Sequence, residues 1–215
     1  MSIDIGNDWN NIEKPWQIAL ELAWESFKCG SIPIAAVITD ISGNIISTGR
    51  NKIFENDQNS AKNRKMRHAE MNSLYILDYD KHPDIRKYIM YTTIEPCPMC
   101  MGSIVMSDIR NVKIGAADPW AGAAEICKLP YIADKNMNIS FAGGIVENMA
   151  LILLLYHEAN PSNYRKNFVF EAFGKRYPKQ AALAEKLSAQ NALGDFAENN
   201  TDFRQVFDYI VNFAI

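Results

Sequence analysis

His68-Ala69-Glu70 and Pro96-Cys97-Pro98-Met99-Cys100 decide how this chain reads, and 25 residues, positions 71 to 95, separate them. One imidazole and two thiols in that arrangement suit a metal ion that takes three protein ligands and keeps a fourth position for water, as catalytic zinc does. Glu70 lies two residues from His68, near such a metal without being needed to bind it. A carboxylate there can take a proton from water and hand it on, as general base and then general acid. Other readings compete. A lone C-x-x-C also serves redox pairs and half-sites of structural zinc, and Cys29 or Cys127 could close the coordination sphere as a fourth ligand. The joint pattern favours the catalytic reading, with Cys29 and Cys127 as small buried side chains. His82 and His157 have no motif around them.

The pattern H-x-E…P-C-x-x-C is the signature of zinc deaminases acting on nucleobases. The chain resembles the cytidine/deoxycytidylate deaminase superfamily, most closely its branch of tRNA adenosine deaminases and guanine deaminases. The resemblance covers roughly residues 14 to 158. It implies one Zn2+ per chain, held by His68, Cys97 and Cys100, with Glu70 as proton shuttle. It also implies substrate contacts from Asn51, the Ala69 backbone N–H, Glu95, Pro96 and Asp118; Trp120, in a Pro-Trp pair that relatives do not usually have in this loop, is a further candidate contact. By the same resemblance the expected fold is α/β: a three-layer α/β/α domain with a central mixed five-stranded sheet. Homodimers are common in this branch and are expected here.

The local pattern agrees with that expectation. Pro15 is suited to the first turn of a helix, which apolar residues from Ile18 to Phe27 continue and Gly30 ends. Ile32–Thr39 and Ile45–Arg50 read as a hairpin around the turn residues Asp40 to Asn44. His68 opens a helix, Tyr88–Thr93 is a strand, and Cys97 opens the next helix. Both ligand groups therefore fall at helix N-termini, which favour thiolate. Asn111–Ala117 and Asn138–Gly143 are further strands, and Glu147–Glu158 is the last helix of the core. Residues 1–13 read as a loose lead-in. The link 55–67 carries Lys62, Arg64, Lys65 and Arg67, which suit either phosphate contact or a solvated loop. Trp120 suits either base stacking or packing.

Residues 1–159 form the expected deaminase domain and 160–215 a mainly helical extension, with helices over 179–193 and 199–213. The extension holds seven Lys and Arg against six Asp and Glu, so it is no basic nucleic-acid arm. Its aromatic residues, Tyr164, Phe168, Phe170, Phe173 and Tyr177, argue for packing on the core or on a dimer partner.

Composition bounds the function classes. Of the 215 residues, 48% are hydrophobic and 22% charged, ordinary for a globular protein. No apolar run approaches the roughly 18 residues of a membrane span, and the polar start MSIDIGNDWNN is unlike a secretory signal. Four cysteines, two of them in a metal motif, fit a reducing cytoplasm. A net charge of −3 gives no global attraction to a polyphosphate. The expected activity is hydrolytic deamination of a nucleobase, nucleoside or related small heterocycle. The alternatives are adenosine deamination in tRNA, with an RNA substrate, and a catalytically silent zinc-binding partner subunit. Glu70 counts against the last.

Overall fold

The computed structural model describes residues 8–56, 62–160 and 166–214. Helix α1 spans Lys14–Lys28, with Pro15 in its first turn and Lys28 in its last, the end where a cation is favoured. Gly30 follows at φ +72°, a left-handed position that suits glycine. Strands β1 (Ala35–Thr39) and β2 (Ile45–Arg50) form the hairpin. Helix α2 (Ala69–Tyr75), strand β3 (Ile89–Ile94), helix α3 (Pro98–Met106) and strand β4 (Asn111–Ala116) come next. A short helix α4 (Pro130–Ala133), strand β5 (Asn138–Phe141) and the long helix α5 (Gly144–Ala159) follow. The chain continues as α6 (Lys166–Arg176), α7 (Pro178–Ala189), α8 (Ala192–Glu198) and α9 (Phe203–Ala214).

The sheet order is β2-β1-β3-β4-β5. Strand β1 is antiparallel to both β2 and β3, and the pairs β3–β4 and β4–β5 are parallel. A parallel neighbour requires a crossover, and α3 supplies it between β3 and β4. Successive strand residues face opposite ways, and both faces are apolar. Val37 and Tyr91 join one core cluster, with α1 and α5, whereas Ile38 and Met90 join the other, with Met101, Ile104 and Val105 of α3. This is the mixed five-stranded sheet between helical layers that the sequence predicted.

The C-terminal helices extend the first cluster. Leu183 and Leu187 of α7 and Phe203, Phe207 and Ile210 of α9 pack in the same core as α1 and α5. Trp24 Nε1 donates to the Thr201 carbonyl at 2.7 Å. The lead-in is not loose where it is described: Trp9 is buried edge-on against Phe203 and Phe207. Residues 1–7 lie outside the described residues, as do Tyr164, Arg165 and positions 57–61 of the basic link. The sequence reading missed α6 as a separate helix. The helix expected over 179–193 ends earlier, before the left-handed Asn191 at φ +51°, and α8 beyond it was missed. No helix among the described residues is long and apolar enough to cross a membrane.

Candidate active site

Two helix starts meet at the site. His68 is the N-cap of α2 and Cys97 the N-cap of α3, both with extended backbone, and Pro98 fills the first turn of α3. The end of β2 presses on the first of these helices at Gly49. A Cβ there would lie 2.2 Å from the Ala69 carbonyl oxygen and 2.5 Å from Ser73 N, so glycine is needed for the approach. Asn72 ties the strands to the ligand: its Nδ2 donates to the Arg50 carbonyl at 2.7 Å and to the Arg67 carbonyl at 3.3 Å. Arg67 is buried and donates to the Glu55 carbonyl, whereas Lys62, Arg64 and Lys65 are exposed. The link therefore divides into an anchored residue and a solvated stretch.

His68 Nδ1 lies 3.7 Å from Cys97 Sγ and 3.5 Å from Cys100 Sγ. Zinc bound tetrahedrally to one nitrogen and two sulfurs at their usual distances puts the nitrogen about 3.6 Å from each sulfur. The donor set and its spacing therefore fit zinc, and no other group of three such side chains was found among the described residues. The Cys97 thiol is pulled down to about 4, first by its hydrogen bond with the Cys100 thiol and then by His68. The same bond, with burial, pushes Cys100 up. Cys29 and Cys127 stand outside this cluster, so neither closes the coordination sphere. Cys29 is exposed rather than buried as the sequence suggested, and Cys127 is half-buried.

Glu70 is 3% exposed. Burial raises its pKa, while its own backbone N–H and the His68 charge oppose that rise. The hydroxyl of Thr92, in the middle of β3, reaches Glu70 Oε1 at 3.2 Å and the Ile94 carbonyl at 2.9 Å. Nothing in the local sequence singles out Thr92; only the register of β3 beside α2 places it there.

One cavity gathers Asn51, His68, Glu70, Glu95, Cys97, Asp118 and Trp120, with apolar walls from Ile32, Ile34, Ile53, Ile94 and Leu154. Asn51 is 2% exposed; its Oδ1 accepts from Ile53 N at 3.1 Å and its backbone carbonyl accepts from Ser26 Oγ. Ala69 and Pro96 do not line the cavity. Ala69 is fully buried, and the Pro96 carbonyl accepts from Ala123 N at 3.0 Å. Val169 and Phe173 of α6 complete the wall. The sequence reading missed them, although it noted the aromatic run in which Phe173 stands. Trp120 pairs with Phe168 at a centroid distance of 5.9 Å. At the end of α6, Tyr177 Oη donates to the Ala117 carbonyl at 3.2 Å.

Three side chains placed to hold a metal ion lie beside a buried carboxylate, on an apolar-walled cavity at the C-terminal end of the central strand β3. Residues 10–116 match the family described as the cytidine and deoxycytidylate deaminase zinc-binding region. A tRNA-specific adenosine deaminase of Haemophilus influenzae is 36% identical over 132 residues, which are 59% of this chain and 69% of that protein. One of Bacillus subtilis is 36% identical over 109 residues, 49% of this chain and 62% of that protein, less than two thirds of its length. Among solved structures, one from a study of A-to-I editing by tRNA:A34 deaminases has a TM-score of 0.52 at 25% identity. That match takes in 98% of its chain and 65% of this one. A guanine deaminase from Nitrosomonas europaea, 18% identical, shares the fold with a TM-score of 0.51 over 96% of its chain and 73% of this one. The chain belongs to the cytidine and deoxycytidylate deaminase family.

Proposed function

We propose that this protein is a zinc-dependent hydrolytic deaminase of a free amino-bearing nucleobase or closely related small heterocycle. The observation that carries the choice of a free base is the wall from the C-terminal extension. Val169 and Phe173 line the same cavity as His68 and Glu70, and Phe173 is 1% exposed. A wall at that place suits a planar ring, whereas a base still joined to a ribose-phosphate chain needs an open side for the backbone.

Zinc, when bound by His68, Cys97 and Cys100, supplies an acidified water as the nucleophile. The residues of the chain do the rest. Asn51 and Asp118 offer hydrogen bonds to the edges of the ring, and the isoleucine walls exclude water from its faces. Glu70 accepts a proton from the water, passes it to the ring nitrogen, and delivers the second proton to the leaving nitrogen. A C–O bond forms, the C–N bond breaks, and amine plus water become carbonyl plus ammonia.

A second reading, adenosine deamination in tRNA, is favoured by the 36% identity to the tRNA-specific adenosine deaminase of H. influenzae. Ammonia release decides between them. The zinc-loaded protein is tested on adenine, guanine, cytosine, their nucleosides, aminopterins, aminotriazines and an anticodon stem-loop RNA, with Glu70→Gln as the blank. Turnover of a free ring, lost in the blank, is expected. Turnover of the RNA alone would replace this reading with the second one.

A further inference from the structure

We propose that Glu95 is a positioning residue that holds the 118–124 loop, and through it Trp120, over the cavity. Its two carboxylate oxygens reach the two ends of that loop. Oε2 accepts from Asp118 N at 3.1 Å and Oε1 from Ala124 N at 2.9 Å. Between those anchors the loop is wound on itself. Asp118 Oδ1 accepts from Trp120 N at 2.8 Å and Ala121 N at 2.9 Å, and the Asp118 carbonyl accepts from Gly122 N at 3.1 Å. Beside these bonds, Ala123 N donates to the Pro96 carbonyl at 3.0 Å, Ala123 is buried in the second core cluster and Trp120 packs against Phe168.

Gly122 gives a second, independent sign of the same contact. A Cβ there would lie 2.5 Å from Glu95 Cδ, 2.6 Å from its Oε2 and 2.5 Å from the Asp118 carbonyl oxygen. The loop approaches the carboxylate so closely that no side chain fits between them. Glu95 also stands two residues before the ligand Cys97, and its own N–H is fixed to the Ala116 carbonyl at 2.8 Å. One short turn therefore carries both a metal ligand and the clamp on the loop. The clamp sets the distance between the reacting carbon's site and the ring of Trp120, which is the distance a bound heterocycle must match. Both loop anchors lie beyond residue 116, the end of the stretch that the family model matches.

The statement about substrate fit rests on the deaminase reading above; the statement that Glu95 holds the loop does not. Full-length zinc-loaded protein and its Glu95→Gln, Glu95→Ala and Gly122→Ala variants are compared by zinc content, amide hydrogen exchange and acrylamide quenching. Trp9, Trp16 and Trp24 are buried and Trp120 is 54% exposed, so the quenching reports Trp120. Zinc content is expected to stay at one per chain. Glu95→Gln keeps one acceptor and should speed exchange at one of the Asp118 and Ala124 amides, whereas Glu95→Ala should speed both. Gly122→Ala, which leaves the carboxylate in place, should raise quenching of Trp120. With guanine and adenine as substrates, KM should rise about tenfold, the scale of one lost hydrogen bond to a charged group, and kcat should change less. Unchanged exchange at both amides in Glu95→Ala would overturn the clamp. A fall in kcat at constant KM would overturn its role in fit. Absence of turnover in the wild type together with faster exchange in Glu95→Ala would overturn the substrate reading and support the clamp.

Discussion

His68, Glu70, Cys97 and Cys100 all lie inside the family match of residues 10–116, on the first turns of two helices packed against the sheet. Trp120, Val169 and Phe173, which enclose the same cavity with them, lie outside it, on a loop and on a helix of the C-terminal extension. The first region is made of local pieces: an N-cap histidine with its glutamate, and an N-cap cysteine with its partner three residues on. The second is assembled over a long separation, since α6 reaches back to a site whose first ligand is at position 68. The candidate ligands and the buried carboxylate thus come from short local patterns, and part of the cavity wall from a helix far along the chain.

The largest expected effects fall on the shared region. Chelation should abolish ammonia release, and zinc should restore it. A metal present at a thousandfold excess over its dissociation constant stabilises the folded state by about 4 kcal/mol, so the melting temperature should fall by roughly 10 °C on chelation. No fall in either quantity would remove zinc from the account. Glu70→Gln should lower kcat by about 10²–10⁴, the usual worth of a positioned acid–base group, with zinc content unchanged. A mild loss would move the proton shuttle elsewhere.

Changes on the other side of the cavity should alter selection more than rate. Asn51→Ala should raise KM for a free base about tenfold to a hundredfold, read from initial rates. Val169→Ala opens the α6 wall with a smaller packing loss than truncating Phe173. It should improve kcat/KM for nucleosides relative to free bases while destabilising the fold by about 1–3 kcal/mol, measured by urea unfolding. Equal effects on bases and nucleosides would mean that α6 does not size the pocket. Trp120→Ala, at an exposed position, should give the smallest change: a KM rise of about fivefold, the lower end of what base stacking contributes, and almost no change in melting temperature.

The same division explains what the sequence disclosed. The metal cluster was legible because the metal dictates residue types, and helix capping dictates where in an element they stand. The order of strands followed from apolar runs broken by turn residues. Thr92 beside Glu70 was not legible, because strand register against α2 is a tertiary fact. Glu95 and Asp118 were legible as residues of the site but not as clamp and loop, since both act through backbone amides that carry no residue signature. Phe173 read as a generic packing residue and Val169 carried no signal; only the position of α6 gives them a place in the site. Cys29 read as buried, yet it follows the last turn of α1 and points to solvent.

One competition tests the claim that the extension restricts this site to free rings. Zinc-loaded wild-type protein is given free adenine, guanine and cytosine together with an anticodon stem-loop RNA in one tube, and each product is identified by mass spectrometry. The account predicts a deaminated free base and an unchanged RNA. Inosine in the RNA, with the free bases untouched, would contradict it.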